Sequence, residues 1–214
     1  PPRSTLFPYT TLFRSLWSRD VKRREFYFQY HINRRCNLRC SHCYQHDYGR
    51  DRLSPPDLLR IADHIVSAAV RWGVMARVAL TGGEPFLSPS LWSLIDFFSQ
   101  STAVGTLTIL SNGTLIGASE AKQIAAYPKI LEVQISLDGG NADAHDAVRG
   151  NGAFEAAISG IRTLRQAGVP TAIMFTLSAV NESEVLPVLD LAKREHVDYI
   201  TIERLVPCRV TSQD

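Results

Sequence analysis

The sequence predicts an α/β fold built on a parallel sheet, and three observations predict it. Short β-branched or aromatic runs alternate with stretches of helical period from residue 26 onward, in six repeats. The connections between successive runs are long enough to hold a helix, which implies parallel pairing through right-handed crossovers. A content of 45% apolar and 21% charged residues over 214 positions describes a globular chain able to bury a core. Periodicity alone leaves two architectures open, a doubly wound sheet and a barrel of the β/α type.

The elements follow in order. Residues 26–33 (FYFQYHIN) are aromatic and β-branched and read as a buried strand. Residues 34–53 form a polar loop that carries three cysteines. Ser54-Pro55-Pro56-Asp57 is a helix start, with an N-cap serine, proline at the first helical position and a carboxylate at the third. Leu58, Leu59, Ala62, Ile65, Val66 and Ala69 keep the helical period behind it. Residues 77–81 (RVALT) are the second strand, and Ser88-Pro89 opens a helix through Leu91, Leu94, Ile95 and Phe98. Residues 106–110 are strand three and 118–126 a short helix; residues 131–137 (LEVQISL) are strand four. Residues 152–167 are a helix stopped by Gly168 and Pro170. Strand five is 171–177. A helix over 182–195 follows, with Asn181 and Glu184 as a second capping-box candidate, and strand six is 199–205. We expect six βα repeats of which the sixth helix is missing.

The net charge of +2 is unevenly placed. Residues 1–25 hold Arg3, Arg14, Arg19, Lys22, Arg23 and Arg24 against Asp20 and Glu25, a balance of +4 that leaves −2 for the rest. A nucleic-acid binder carries its basic surplus on the folded body, so nucleic acid is not an expected partner. No apolar run approaches the roughly 18 residues of a membrane span, and no membrane partner is expected either. Residues 1–15 repeat Thr-Leu-Phe six positions apart without any helix or strand period, and resemble translated sequencing-adapter sequence. We expect residues 1–25 to be a non-native or disordered tail and residues 26–214 one core domain, shortened at its C-terminus.

Three of the four cysteines fall within eight positions, as Cys36-x3-Cys40-x2-Cys43 directly after strand one. Three thiolates on one short loop can converge on a soft metal centre. A structural zinc site wants four closed ligands, and His42 or His46 could supply the fourth. A thiol redox pair needs only C-x2-C opening a helix. Thiolates also hold iron–sulfur clusters, and three protein ligands on four irons leave one iron open for chemistry. Strand two then ends in Thr81-Gly82-Gly83-Glu84-Pro85. Its glycines would let a ligand approach the backbone, and Glu84 offers a carboxylate to an ammonium group. In parallel β/α architectures, sites gather at the C-terminal ends of strands, where both elements lie.

The C-x3-C-x2-C loop after strand one, followed by GGEP after strand two, resembles the radical S-adenosylmethionine (radical SAM) superfamily. The resemblance covers residues 26–208 and implies a partial (β/α)6 TIM-like barrel with parallel strands, lacking here its sixth helix and a C-terminal extension. It implies a [4Fe–4S] cluster on Cys36, Cys40 and Cys43, with S-adenosylmethionine (SAM) chelating the fourth iron. It implies that reductive cleavage of SAM yields a 5′-deoxyadenosyl radical that abstracts hydrogen from substrate. The cofactors carry that chemistry while the protein orients them and excludes water.

The resemblance also implies site residues. His42 sits where the family places an aromatic residue beside the adenine. Gly82, Gly83 and Glu84 match the element that binds the SAM amino group. Asn112, in Ser111-Asn112-Gly113 after strand three, matches a polar turn near the cofactor, although Asn-Gly is also a plain turn dipeptide. Ser136-Leu137-Asp138-Gly139, with His145-Asp146 and Arg149-Gly150, resembles the SLDG…HD..RG stretch of the subgroup with SPASM or twitch extensions. There Ser136 would approach the ribose and Arg149 the SAM carboxylate, unless Arg149 only pairs with Asp146 at the surface. Leu177 is a candidate for an apolar adenine wall. Cys208 stays outside the ligand set. No catalytic residue is assigned.

The function expected is that of a radical SAM enzyme core in peptide or protein maturation or cofactor biosynthesis. Its expected partners are a peptide or small-molecule substrate and an electron donor such as flavodoxin or ferredoxin, in a reducing cytoplasm. The rival readings are a non-catalytic zinc-binding module and a thiol-redox module.

Overall fold

Six strands pair in chain order. In a computed structural model that describes residues 24–206, His46 and Arg50 excepted, these are β1 (Glu25–His31), β2 (Met75–Thr81), β3 (Val104–Ser111), β4 (Ile130–Ser136), β5 (Thr171–Leu177) and β6 (Tyr199–Arg204). They form one sheet in the order β1-β2-β3-β4-β5-β6, and every neighbouring pair is parallel. A doubly wound sheet reverses its strand order at a switch point; this one never does. It curls into half of a β/α barrel, the expected fold, with β1 and β6 as its edges.

Six α-helices lie between the strands: α1 (Pro55–Trp72), α2 (Leu91–Gln100), α3 (Ala118–Ala125), α4 (Ala142–Arg149), α5 (Ala153–Gln166) and α6 (Val185–Arg194). Strand alternation sorts the side chains into two environments. Val78, Leu80, Leu107, Ile109, Val133, Ile135, Ile173 and Phe175 are buried in one core with Leu58, Leu94, Phe98, Ile161 and Leu191 of the helices. Each such side chain contributes about 1.5–3 kcal/mol through burial. Their neighbours Thr81, Leu110, Gln134, Ser136, Met174 and Thr176 line a cavity instead. No helix among the described residues is long and apolar enough to cross a membrane.

The first helix starts as its sequence predicts. The Ser54 hydroxyl accepts from the Asp57 amide at 3.4 Å, and the Asp57 carboxylate accepts from the Ser54 amide at 3.0 Å, closing a capping box. Three expectations need correction. The aromatic run of β1 is not a buried strand: only Tyr30 is buried, because β1 is a sheet edge and Gln29 faces the open concave side. Helix α4, absent from the sequence reading, is short and half polar, and starts where the Asn141 side chain accepts from the Ala144 amide at 3.0 Å.

The third correction concerns Asn181, which does not cap a helix. A 3₁₀ turn over Glu182–Glu184 precedes α6. The buried Asn181 side chain accepts from the Ser178 amide at 2.8 Å and donates to the carbonyls of Thr176, at 3.0 Å, and Asp138, at 3.2 Å. It therefore ties the ends of β4 and β5 together. Glu184 accepts from the Gly140 amide at 2.9 Å rather than closing a box. Replacing Asn181 by alanine leaves buried backbone groups unpaired, so we expect Asn181→Ala to lower stability by about 1–3 kcal/mol in urea unfolding. An unchanged midpoint would show that this tie contributes nothing.

Candidate functional site

The cysteine loop has almost no regular structure, so its backbone must find partners elsewhere. Glu84 donates its amide to the Arg35 carbonyl at 2.7 Å, Gly83 to Asn33 at 3.1 Å, and Ser41 to Val148 of α4 at 2.8 Å. Arg34 pairs with Asp47 at 2.6 Å, and its amide donates to Asp51 at 2.7 Å. The loop is thus stitched across the C-terminal ends of β2 and β4's following helix. Each sulfur also receives a donor. Cys36 accepts from the Leu38 amide at 3.4 Å and from Asn112 Nδ2 at 3.8 Å, and Cys43 from the Gln45 amide at 3.4 Å. Cys40 accepts from Arg149 Nη1 at 3.9 Å. Burial is the main cause that raises the thiol pKa of both Cys36 and Cys40.

The glycines after β2 also meet a steric demand inside the protein. A Cβ on Gly82 would lie 2.4 Å from Asn33 Oδ1, and one on Gly83 would lie 2.1 Å from the Arg35 carbonyl oxygen. Gly82 has φ +152°. The close approach that demands glycine is the cysteine loop against the β2 exit; both residues also line the cavity.

Glu84 does not reach the cavity wall. Its carboxylate is fully buried and accepts from Ser111 Oγ at 2.9 Å, the Asn112 amide at 2.9 Å and the Phe86 amide at 3.1 Å. Burial outweighs these donors and pushes its pKa up to about 7. Glu84 therefore clamps the turn after β3, and that turn aims Asn112. The Asn112 side chain donates to Asn37 Oδ1 at 2.9 Å and accepts from the Thr114 amide at 2.9 Å, next to Cys36.

A second buried carboxylate, Asp138, organises the other side. It accepts from Arg149 Nε at 2.6 Å and from the Thr176 amide at 2.9 Å, and His42 Nε2 lies 3.3 Å away. Its amide donates to His145 Nδ1 at 3.1 Å. His145 and Arg149, four positions apart on α4, are both buried on one helix face. Burial first, then Arg149, lowers His145 to about 4 and keeps it neutral. Arg149 makes no surface pair with Asp146, which instead accepts the amides of Gly152 and Phe154 at 2.6 and 2.8 Å. Burial also lowers the pKa of His42. A neutral His42 facing a carboxylate carries its proton on Nε2, so its buried and unpartnered Nδ1 is a hydrogen-bond acceptor.

These elements enclose a cavity of about 440 Å³ lined by Cys36, Cys40, His42, Cys43, Gly82, Gly83, Asn112, Ser136 and Arg149. Nine of the eleven predicted site residues are therefore brought to one wall. The two exceptions are Glu84, buried behind the wall, and Leu177, which packs against the apolar core while Thr176 faces the cavity. Sequence reading passed over Asp138, Ser111 and His145 as site residues, although Asp138 and His145 stood inside the quoted stretch. For Ser111 and Asp138 the available signal was their position at or just past a strand end. His46 and Cys208 lie outside the described residues.

The donor set fits the implied cofactors. Among the described residues, no three His, Cys, Asp or Glu side chains meet where one metal ion would bind. A single zinc needs all its ligands about 2.0–2.3 Å from one point. A four-iron cluster binds each thiolate to a different iron and keeps the sulfurs apart. The orphan acceptor on His42 suits a ligand N–H such as an adenine amine.

The raised pKa of Glu84 has a consequence for stability. The folded state holds this proton up to about pH 7, whereas an unfolded glutamate, with its ordinary value of 4.5, has already lost it. Folded protein therefore binds more protons across that window, and the Glu84 contribution to stability falls as pH rises through it. We expect the urea-midpoint difference between the parent and Glu84→Gln to move in the variant's favour between pH 4.5 and 7.5. A difference independent of pH would remove Glu84 as the titrating group.

Residues 30–192 match the family profile of the Radical SAM superfamily. The pre-heme d1 synthase of Dinoroseobacter shibae is 35% identical over 179 residues, covering 83% of this chain and 43% of that protein. The mycofactocin maturase MftC of Mycobacterium tuberculosis is 36% identical over 135 residues, covering 62% of this chain and 32% of that protein. The chain thus spans well under half the length of these curated relatives. Streptococcus suis SuiB bound to its precursor peptide SuiA has the same fold, with a TM-score of 0.73 at 18% identity over 95% of this chain and 46% of that one. The profile match takes in the cysteine loop and the turn after β2 and covers most of the chain, so the chain belongs to the radical SAM superfamily.

Proposed function

We propose that this chain is the catalytic core of a radical SAM enzyme that modifies a peptide. Cys36, Cys40 and Cys43 would hold a [4Fe–4S] cluster, and the cavity beside them would hold SAM. Once bound, these cofactors supply an electron and a 5′-deoxyadenosyl radical that abstracts hydrogen. The observation that carries the reading is the convergence of three thiols, Gly82, Gly83, Asn112, Ser136 and Arg149 on one cavity at the strand ends.

The protein's own residues bind and orient. With SAM bound, His42 Nδ1 would accept from the adenine amine, Ser136 would offer a hydroxyl to the ribose, and Arg149 would meet the SAM carboxylate. Gly82 and Gly83 would present backbone to the methionine amino group. Glu84 acts on the cofactor indirectly, by holding the Ser111–Asn112 turn against the cysteine loop. The methylene and methyl surfaces of Leu110 and Met174 keep water from the far wall.

A cavity of about 440 Å³ lies at the small end of the range for one drug-sized ligand. With SAM in place, a second reactant enters best as a narrow segment. Gln29 and Gln134 on the concave wall offer amides that pair with amides. Both features favour a peptide, as does the precursor peptide SuiA bound to SuiB, which shares this fold. The second reading is a tetrapyrrole, favoured by the 35% identity to pre-heme d1 synthase. The electron would come from a flavodoxin or ferredoxin in the cytoplasm.

Anaerobic reconstitution should load about four irons per chain and give a brown protein, with Cys40→Ala losing the cluster. Dithionite and SAM should then give 5′-deoxyadenosine. Equal iron uptake by the triple variant Cys36→Ala/Cys40→Ala/Cys43→Ala would overturn the ligand assignment; a colourless, zinc-loaded parent would return the reading to a structural zinc module.

A further inference from the structure

The three cysteine sulfurs are not equivalent. Cys36 and Cys43 receive backbone amides, and Cys36 also the neutral amide of Asn112. Cys40 receives the charged guanidinium of Arg149. Of the charged groups that act on Cys40, Arg149 acts most strongly and Asp138 least. The guanidinium is not free to leave. Its Nε is held by the fully buried Asp138 carboxylate at 2.6 Å, and the Arg149 side chain is only 9% exposed. Asp138 is fixed in turn by the Thr176 amide and by His145 behind its own backbone.

We propose that Arg149 is a positioning residue that sets the reduction potential of the cluster through Cys40, and that Asp138 holds it in place to do so. This rests on the cluster assignment made above. The physical reason is charge. The reduced cluster carries one more negative charge than the oxidised one, so a fixed cation at a ligating sulfur stabilises the reduced form more. Hydrogen bonds to the sulfurs and net charge are among the factors that set such potentials, and charged donors are the strong ones. A guanidinium carries five N–H donors, and the contacts to Asp138 and Cys40 use two. The same side chain can therefore meet an anionic group in the cavity it lines while keeping its hold on Cys40. Arg149 would then make the cluster easier to reduce where an anionic cofactor group would otherwise oppose the electron.

The test is a redox titration of the reconstituted chain, with dithionite as the one-electron donor and the reduced cluster read by EPR. Arg149→Gln should disfavour reduction about tenfold, which is about 59 mV more negative for a one-electron couple. That variant leaves Asp138 unpaired, so the double variant Asp138→Asn/Arg149→Gln is measured beside it. The pair of substitutions removes one charge of each sign and keeps both shapes. It should still shift the potential downward, because the donor to Cys40 is gone. Arg149→Lys, which keeps the charge, should fall between the parent and Arg149→Gln. Iron content is measured for each protein. A parent that takes up no iron overturns the cluster assignment and this inference with it. A double variant that holds four irons at the parent's potential overturns this inference alone.

Discussion

A carboxylate with no exposure to water must find all its partners inside the protein, and the site is arranged around the partners that Asp138 finds. Arg149, Thr176, His42 and His145 come from α4, β5 and the cysteine loop, and each contacts Asp138 through its side chain or backbone. Asn181 adds a bond to its carbonyl. Removing one member of such a buried pair typically costs about 3–5 kcal/mol, because the other charge is left stranded. The consequence is geometric. His42 is held at the cavity wall with Nε2 against Asp138, which leaves its buried Nδ1 without a partner inside the protein.

Glu84 repeats the same device on the other side of the cavity with the opposite electrostatic outcome. Asp138 has a cation against it at 2.6 Å. Glu84 has only neutral donors, so burial prevails and its proton is retained to about pH 7. Both carboxylates lie one turn beyond a strand end, and both hold a turn against the cysteine loop. An irregular loop with three cysteines thereby acquires fixed positions without a helix or strand of its own. The crowding at Gly82 and Gly83 expresses the same constraint, since the loop lies too close to the β2 exit for any side chain there.

The half-barrel makes this arrangement available. Sequential parallel strands place every C-terminal end on one rim, and strand alternation gives that rim a polar concave side opposite the apolar helix side. A sheet with reversed order would have split the same residues across a switch point.

Much of this was legible in the sequence. The six βα repeats, the Ser54 cap and the spacing of Cys36, Cys40 and Cys43 are local patterns, determined by periodicity, capping chemistry and the reach of a short loop. Strand order was open, since right-handed crossovers allow both a barrel and a doubly wound sheet. Helix α4 was missed because its eight residues, half of them polar, make only about two turns. The aromatic run of β1 suggested burial, but whether a strand is central or an edge depends on pairing far along the chain. The directions of Glu84 and Leu177 were decided only in three dimensions, where the donors of Ser111 and Asn112 drew the one carboxylate behind the wall and the core took the leucine. The chain by itself determined which residues carry the chemistry and at which strand ends they lie. Only the tertiary structure decided which side chains face the cavity and which hold others there, because a buried polar group's orientation is set by partners distant in sequence.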